Sequence, residues 1–313
     1  MKRFFLSCLL TAVGCLCASC VEDLPVEPDS GSPKVVLSCV LTNASTQRLS
    51  LSWNRGINKG RVFEEVKEAK LSLYEEGRLV GMFEKFGYGE WRLDYMPQSG
   101  KVYMIEAEVP GHGRLSATTT MPAKGNIAYL MSRGDRKTRV FKSSDVTSPY
   151  WFFAMSSSLE DPVYATQNPK VEKDPAPRLY QELLTDHKSA DRFTYQPLSP
   201  ELFPTEPDLL QYKYYVRVPY DPAEVEKESL VFGVNHYPRT AATFVVFRYC
   251  SVEYDLYLKS VIEKKTFYEV EDDPTAWFDQ SVIYSNIENG LGLFGAYHQE
   301  SFYFHNRVTA RPE

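Results

Sequence analysis

Only three of the six cysteines, Cys20, Cys39 and Cys250, lie beyond residue 19. Cys39 and Cys250 either pair in an oxidising compartment or serve as small buried hydrophobes on strands. Histidine is sparse as well. His112, His187, His236, His298 and His305 show no H-x-x-x-H spacing, so no zinc site is expected. No G-x-S-x-G elbow occurs, which leaves an α/β-hydrolase nucleophile without support. Cationic excess is missing: the formal charge is −6, and losing Lys2 and Arg3 with residues 1–19 makes it more negative. That balance argues against nucleic acid and against a polybasic membrane patch. No apolar run after the N-terminal segment is long enough to cross a bilayer.

What the N-terminus does have is a lipoprotein-type signal peptide over residues 1–19. Met1-Lys2-Arg3 is a short basic region, and Phe4–Val13 is an apolar core too short for a spanning helix. Ala18-Ser19 supplies small residues before Cys20, whose thiol would carry diacylglycerol. Cys17 stands where Leu is more usual, and Ala12-Val13-Gly14-Cys15 is a second processing candidate. The residues after Cys20 favour it. Residues 20–33 are acidic and Pro-rich, with Glu22, Asp23, Pro25, Glu27, Pro28 and Asp29, the composition of an extended tether. Cys20, as a lipidation site, is the one residue to which a role is assigned. Several acyl chains on one cysteine would anchor stably where a single chain is marginal.

From residue 34 to 122 the hydrophobic period is two. Val35, Leu37, Cys39 and Leu41 alternate with the other face, as do Leu49, Leu51 and Trp53. Ala69, Leu71 and Leu73, then Trp91, Leu93 and Tyr95, repeat the pattern. Tyr103, Ile105, Ala107 and Val109 follow, then Leu115, Ala117 and Thr119. With residues 78–86, about seven short strands between Gly-, Pro- and Asn-containing turns imply an immunoglobulin-like β-sandwich. A second β-rich domain is expected over 125–313. Trp151–Met155, Tyr212–Val218, Thr243–Cys250, Ser281–Asn286 and Ser301–His305 are its strands, and Tyr212–Val218 keeps Lys213 and Arg217 on a wet face. Residues 159–208 form a long polar insertion, with a short helix near Leu179–Leu184. Tyr254, Tyr257, Leu258, Val261 and Ile262 recur at three and four, with Lys264 and Lys265 toward the C-terminal dipole. That is one amphipathic helix. Asp273-Pro274 has the look of a cap opening a second, short one. The class is mainly β.

Chemistry is thin. Gly290-Leu291-Gly292-Leu293-Phe294-Gly295 matches G-x-G-x-x-G letter for letter. The dinucleotide fingerprint needs a strand before it and a crossover helix after it. Here the residues after Gly295 read as a strand. The run is therefore expected to be a glycine-rich turn in a sheet, with backbone passing close to packed rings. Glu269, Glu271, Asp272 and Asp273 cluster, suiting either calcium or paired-carboxylate chemistry, or a solvated loop with a helix cap. No cofactor, metal or catalytic residue is assigned, and no enzyme activity is expected. The 21 Tyr, 18 Phe and 4 Trp suit sheet packing and carbohydrate stacking equally.

A lipoprotein signal, a sandwich closing in Ala117-Thr118-Thr119-Thr120-Met121-Pro122, and the run Ile283–Tyr297 together carry a resemblance. The chain resembles the Bacteroidetes outer-membrane lipoprotein family called domain of unknown function 4249, over nearly all of residues 20–313. The resemblance implies a lipid-anchored protein of the outer membrane facing the cell exterior. Acidic residues directly after the lipidated cysteine resemble the surface-export signal of such lipoproteins. It further implies an accessory partner of a TonB-dependent transporter, handling a nutrient ligand of unknown identity. The family has no established active residues to carry over. The alternative is a structural or adhesive cell-surface protein that would polymerise through Val35–Leu41.

Overall fold

The computed structural model describes residues 33–54, 63–125, 127–131, 137–142, 148–157, 178–180, 190–194, 214–219, 229–233, 242–268 and 283–305. The fold is mainly β. The N-terminal part comprises β1 (Val35–Leu41), β2 (Thr46–Asn54), β3 (Phe63–Glu65), β4 (Lys70–Glu75), β5 (Arg78–Met82), β6 (Glu84–Lys85), β7 (Glu90–Asp94), β8 (Val102–Val109) and β9 (Gly113–Thr120). Next come β10 (Ile127–Met131), β11 (Lys137–Lys142), β12 (Tyr150–Ser157), β13 (Arg178–Tyr180), β14 (Asp191–Thr194), β15 (Tyr214–Val218), β16 (Ser229–Gly233) and β17 (Ala242–Cys250). Helix α1 (Val252–Tyr268) and the long strand β18 (Leu291–His305) complete the order.

Alternation builds the first core. The inward residues of β1, Val35, Leu37, Cys39 and Leu41, are all buried. They meet Leu71, Leu73, Tyr103, Ile105, Ala107, Leu115 and Ala117 from the facing sheet. That facing sheet has four strands in the order β5-β4-β8-β9. The two sheets make a sandwich because each strand is apolar on one face only.

The other sheet does not stop at residue 122. Its order is β14-β15-β12-β17-β18-β1-β2-β7-β6, with β13 on β12 and β3 on β2. Strand β18 joins the halves. Leu291–Ala296 pairs in parallel with Val36–Leu41 of β1. Tyr297–His305 pairs antiparallel with β17. Three further strands, β10-β11-β16, form a separate antiparallel sheet.

Helix α1 starts at a capping serine. Ser251 Oγ accepts from Tyr254 N at 3.3 Å, and Glu253 and Asp255 place acids in the first turn, where they oppose the dipole. The apolar stripe Tyr254, Leu258, Val261 and Ile262 is buried against the sheet. Thr119 Oγ1 of β9 donates to Glu253 at 2.8 Å, tying the sandwich to the helix.

Three expectations change. Leu179 and Tyr180 lie in β13, paired with Ser156 and Met155 of β12, not in a helix. A ladder with a buried strand outcompetes local helical spacing. Residues 283–286 run outside any strand; their side chains brace a neighbouring strand instead. Arg217 is not on a wet face, as described below. The Asp273-Pro274 cap, the Glu269–Asp273 acids, the tether up to residue 32 and Cys20 itself lie outside the described residues.

Candidate functional site

The G-x-G-x-x-G run sits at the junction of the two cores. Glu288–Gly290 form the turn before β18, and the run is strand from Leu291 onward. Gly292 has φ +114°, and a Cβ there would strike the Leu37 carbonyl. Only glycine fits that parallel approach. At Gly295 a Cβ would sit 2.9 Å from Tyr254 Cβ, so glycine lets α1 pack down on β18. The expected turn near packed rings is corrected: from Leu291 the run is strand, and what its glycines approach is the Leu37 backbone and the Cβ and backbone of Tyr254.

The residues before the run brace it. Asn286 Nδ2 donates to the Phe294 carbonyl at 2.8 Å, and Phe294 N donates to Asn286 Oδ1 at 2.9 Å. One side chain thus imitates a strand neighbour. Gly292 N donates to Ser285 Oγ at 3.0 Å. Ile287 enters the sandwich core. Asn289 adopts φ +58° and donates to the Arg114 carbonyl at 3.2 Å. Alternation along β18 then feeds two cores: Leu293 enters the aromatic cluster under α1, and Phe294 and Ala296 enter the sandwich.

A second polar constellation lies beneath α1. Asp191, Arg217, Trp151, Arg248 and Gln299 stand opposite one another across β14, β15, β12, β17 and β18. Asp255 of the helix, 3% exposed, accepts from Arg217 Nε and Nη2, both at 2.7 Å. It also accepts from Trp151 Nε1 at 2.8 Å. Arg217 Nη1 reaches Asp191 at 2.6 Å. The hydrogen bonds to Asp255 hold the Arg217 guanidinium charged well above its ordinary range. On the other side of Trp151, Arg248 donates to Tyr254 Oη at 2.9 Å and to Gln299 at 2.8 Å, and lies over the Tyr297 ring at 4.3 Å. Asp255 Oδ1 takes two of these bonds and Oδ2 one, so three of the roughly four acceptor positions of the carboxylate are used inside the fold. The row fastens α1 to the sheet.

Sequence reasoning missed this row, having placed Arg217 in solvent. The available signal was Asp255, an acid set inside the apolar stripe beside Tyr254 and Leu258. An acid there needs a buried cation or donor.

In the sandwich, the Tyr95 and Tyr103 hydroxyls both donate to the Glu75 carboxylate, and Gln98 N donates to Tyr103 Oη at 2.7 Å. The Tyr103 bond, then the Tyr95 bond, holds the Glu75 carboxyl below its ordinary value of 4.5. Desolvation, then Glu75, pushes the Tyr103 hydroxyl up. A lowered carboxyl pKa contributes stability above the unfolded value and loses it as pH falls through the folded one. The Tm of the natural protein should therefore drop below pH 4.5. Glu75→Gln should cost about 1 kcal/mol at pH 7, and the gap should narrow as the pH falls below 4.5. Parallel Tm–pH curves for the two proteins would refute this.

Among the described residues no group of three or more His, Cys, Asp or Glu could hold a metal ion. His112 Nε2 is 2.9 Å from the Asn289 carbonyl, with its ring edge-on to Trp53. His298 lies on β18, where burial, then Lys124, lowers its pKa. Cys39 and Cys250 form no disulfide and are buried on β1 and β17, the small-hydrophobe alternative. Burial pushes the Cys39 thiol far up, out of reactive range. A shallow open groove is lined by Glu68, Ala69, Lys70, Glu108, Val109 and Pro110.

The family described as "Domain of unknown function (DUF4249)" matches residues 21–302. The chain belongs to this family. No curated protein matches it. The Ile283–Tyr297 run singled out in the sequence falls inside the DUF4249 span, and its glycines are accounted for by the joining of β18 to β1 and α1. No helix among the described residues is long and apolar enough to cross a membrane, which leaves strand crossings open.

Proposed function

We propose that this DUF4249 chain is a non-catalytic, lipid-anchored outer-membrane lipoprotein of a Bacteroidetes cell. It faces the exterior as an accessory or ligand-binding partner of a TonB-dependent transporter. The observation that carries the reading is Ala18-Ser19-Cys20 after a basic–apolar signal, followed at once by the acidic tether. The finer fold reading is an immunoglobulin-type sandwich over 34–122. It is supported by the order β1-β2-β7 facing β5-β4-β8-β9. The Tyr103 hydroxyl bonded back to Gln98 supports it too, matching the tyrosine corner of such domains.

The structural or adhesive alternative draws on the same sandwich. Yet β1, the strand it would exchange, is already paired on both edges, by β2 and β18. Exchange would have to break both ladders.

Two measurements test the proposal. Cys20→Ala should move the protein from the membrane to the soluble fraction and abolish palmitate labelling. Retention with label intact would overturn the anchor. Affinity capture from solubilised outer membranes should recover a TonB-dependent transporter. Its absence, with no glycan or peptide bound in a screen, would overturn the accessory role.

A further inference from the structure

We infer that the end of the sandwich at which the chain enters is a membrane-contacting face, with Phe86 and Tyr88 seated in the headgroup boundary of the bilayer. The inference rests on the anchored reading, because it is the tether that brings this end to the lipid. The chain enters at Lys34, whose N–H donates to Asn54 Oδ1 at 2.7 Å while its carbonyl accepts from Asn54 N at 2.9 Å. That clasp fixes the end of β1 and β2 as the tethered end. The β6–β7 hairpin reaches the same level. Gly89 accepts from Leu51 N at 2.9 Å and donates to Glu65 at 3.3 Å, and Glu65 stands opposite Ser52, next to the Trp53 that pairs with Val35.

The tip of that hairpin is apolar and outward. Tyr88 is 70% exposed and Phe86 60%. Gly89 adopts φ +64°, the left-handed turn that throws Tyr88 outward. Met82, 45% exposed, lies opposite Ser72, near the same end. The Arg92 guanidinium covers one face of the Phe86 ring.

Lipid is favoured as the occupant by where the tether ends and how far it reaches. Residues 20–33 reach on the order of 40 Å when extended at roughly 3.1 Å per residue. A face held that close to its own bilayer meets it at millimolar effective concentration, so a weak surface affinity is enough. The Tyr88 ring, with its polar tip, is of the kind that settles at that depth, and Phe86 adds apolar area beside it. The nearby cations are already paired, Lys85 with Glu65 at 2.6 Å and Arg92 with Glu90 at 3.2 Å. The contact is therefore carried by the rings and depends little on salt.

The test uses the chain from residue 20 onward, which holds every described residue, with Cys20→Ser. It is docked through an N-terminal hexahistidine to vesicles of phosphatidylethanolamine and phosphatidylglycerol containing a nickel-chelating lipid. Tyr88→Trp is compared with Leu79→Trp, another exposed position, on β5 level with Tyr74, toward the far end of the sandwich. With lipids brominated near the top of the acyl chains, the Tyr88→Trp emission should shift to the blue and be quenched severalfold more than that of Leu79→Trp. Phe86→Trp should behave as Tyr88→Trp does, which guards against one variant misfolding. Equal quenching at the two ends overturns the inference. So does quenching that appears only when a transporter is added, because the occupant is then protein. Palmitate labelling of the natural chain reads the anchor separately, so failure of the face and failure of the anchor are distinguishable.

Discussion

Replacing Asp255 with leucine is expected to destabilise the protein by about 3–5 kcal/mol, the cost of leaving a buried guanidinium without its partner. Asp255 takes two hydrogen bonds from Arg217 and one from Trp151. Asp191 is the remaining partner of Arg217, but its side chain is 42% exposed, and a solvated carboxylate compensates weakly. The charge itself is the liability, so removing both charges should help. Arg217→Met combined with Asp255→Leu should recover most of the loss. The residual penalty, about 1–3 kcal/mol, comes from a Trp151 N–H with no acceptor. Urea unfolding gives the answer through its midpoint at constant slope. The interpretation fails if the double variant is no more stable than Asp255→Leu alone, because the row would then be stabilising by packing and not by charge compensation.

What was legible in the sequence was local. The alternation of Val35, Leu37, Cys39 and Leu41 marks one strand face, and the structure buries that face. The stripe from Tyr254 to Ile262 is likewise written within one short segment. Pairing between distant strands is not. Nothing in residues 35–41 says that they lie parallel to Leu291–Ala296, because that choice is made by the packing of both faces at once. Arg217 shows the same limit. A cation between apolar neighbours on a strand reads as a solvated face, and only its partner on a distant helix turns it inward. The G-x-G-x-x-G run was visible but mute. Its glycines are needed for steric reasons set by Leu37 and Tyr254, which are far away in sequence. Cys20 is the reverse case: the role proposed for it rests on sequence alone, since lipidation depends on a processing motif and not on a folded surface.

The second large effect belongs to Gly292, and it follows from β18 serving both cores. Gly292→Ala is expected to cost about 3 kcal/mol or more, since a side chain at such a φ carries about 1–3 kcal/mol of strain before any clash. Here the clash is with backbone, the Leu37 carbonyl, which cannot swing aside as a side chain would. Relief requires β18 to move off β1, and that opens the ladder from Val36 to Leu41. Gly111→Ala is the informative comparison. Gly111 also has positive φ, +78°, but a Cβ there meets nothing within 4 Å. It should cost only the backbone term, about 1–2 kcal/mol. Hydrogen exchange separates the two further. In Gly292→Ala, amides of Leu37–Leu41 and Leu293–Ala296 should lose protection while those of β8 keep theirs, because only the junction is wedged. Uniform loss of protection across β8 and β1 would show that the strain is spread through the sandwich. If Gly292→Ala cost no more than Gly111→Ala, the Leu37 approach would not be what reserves this position for glycine.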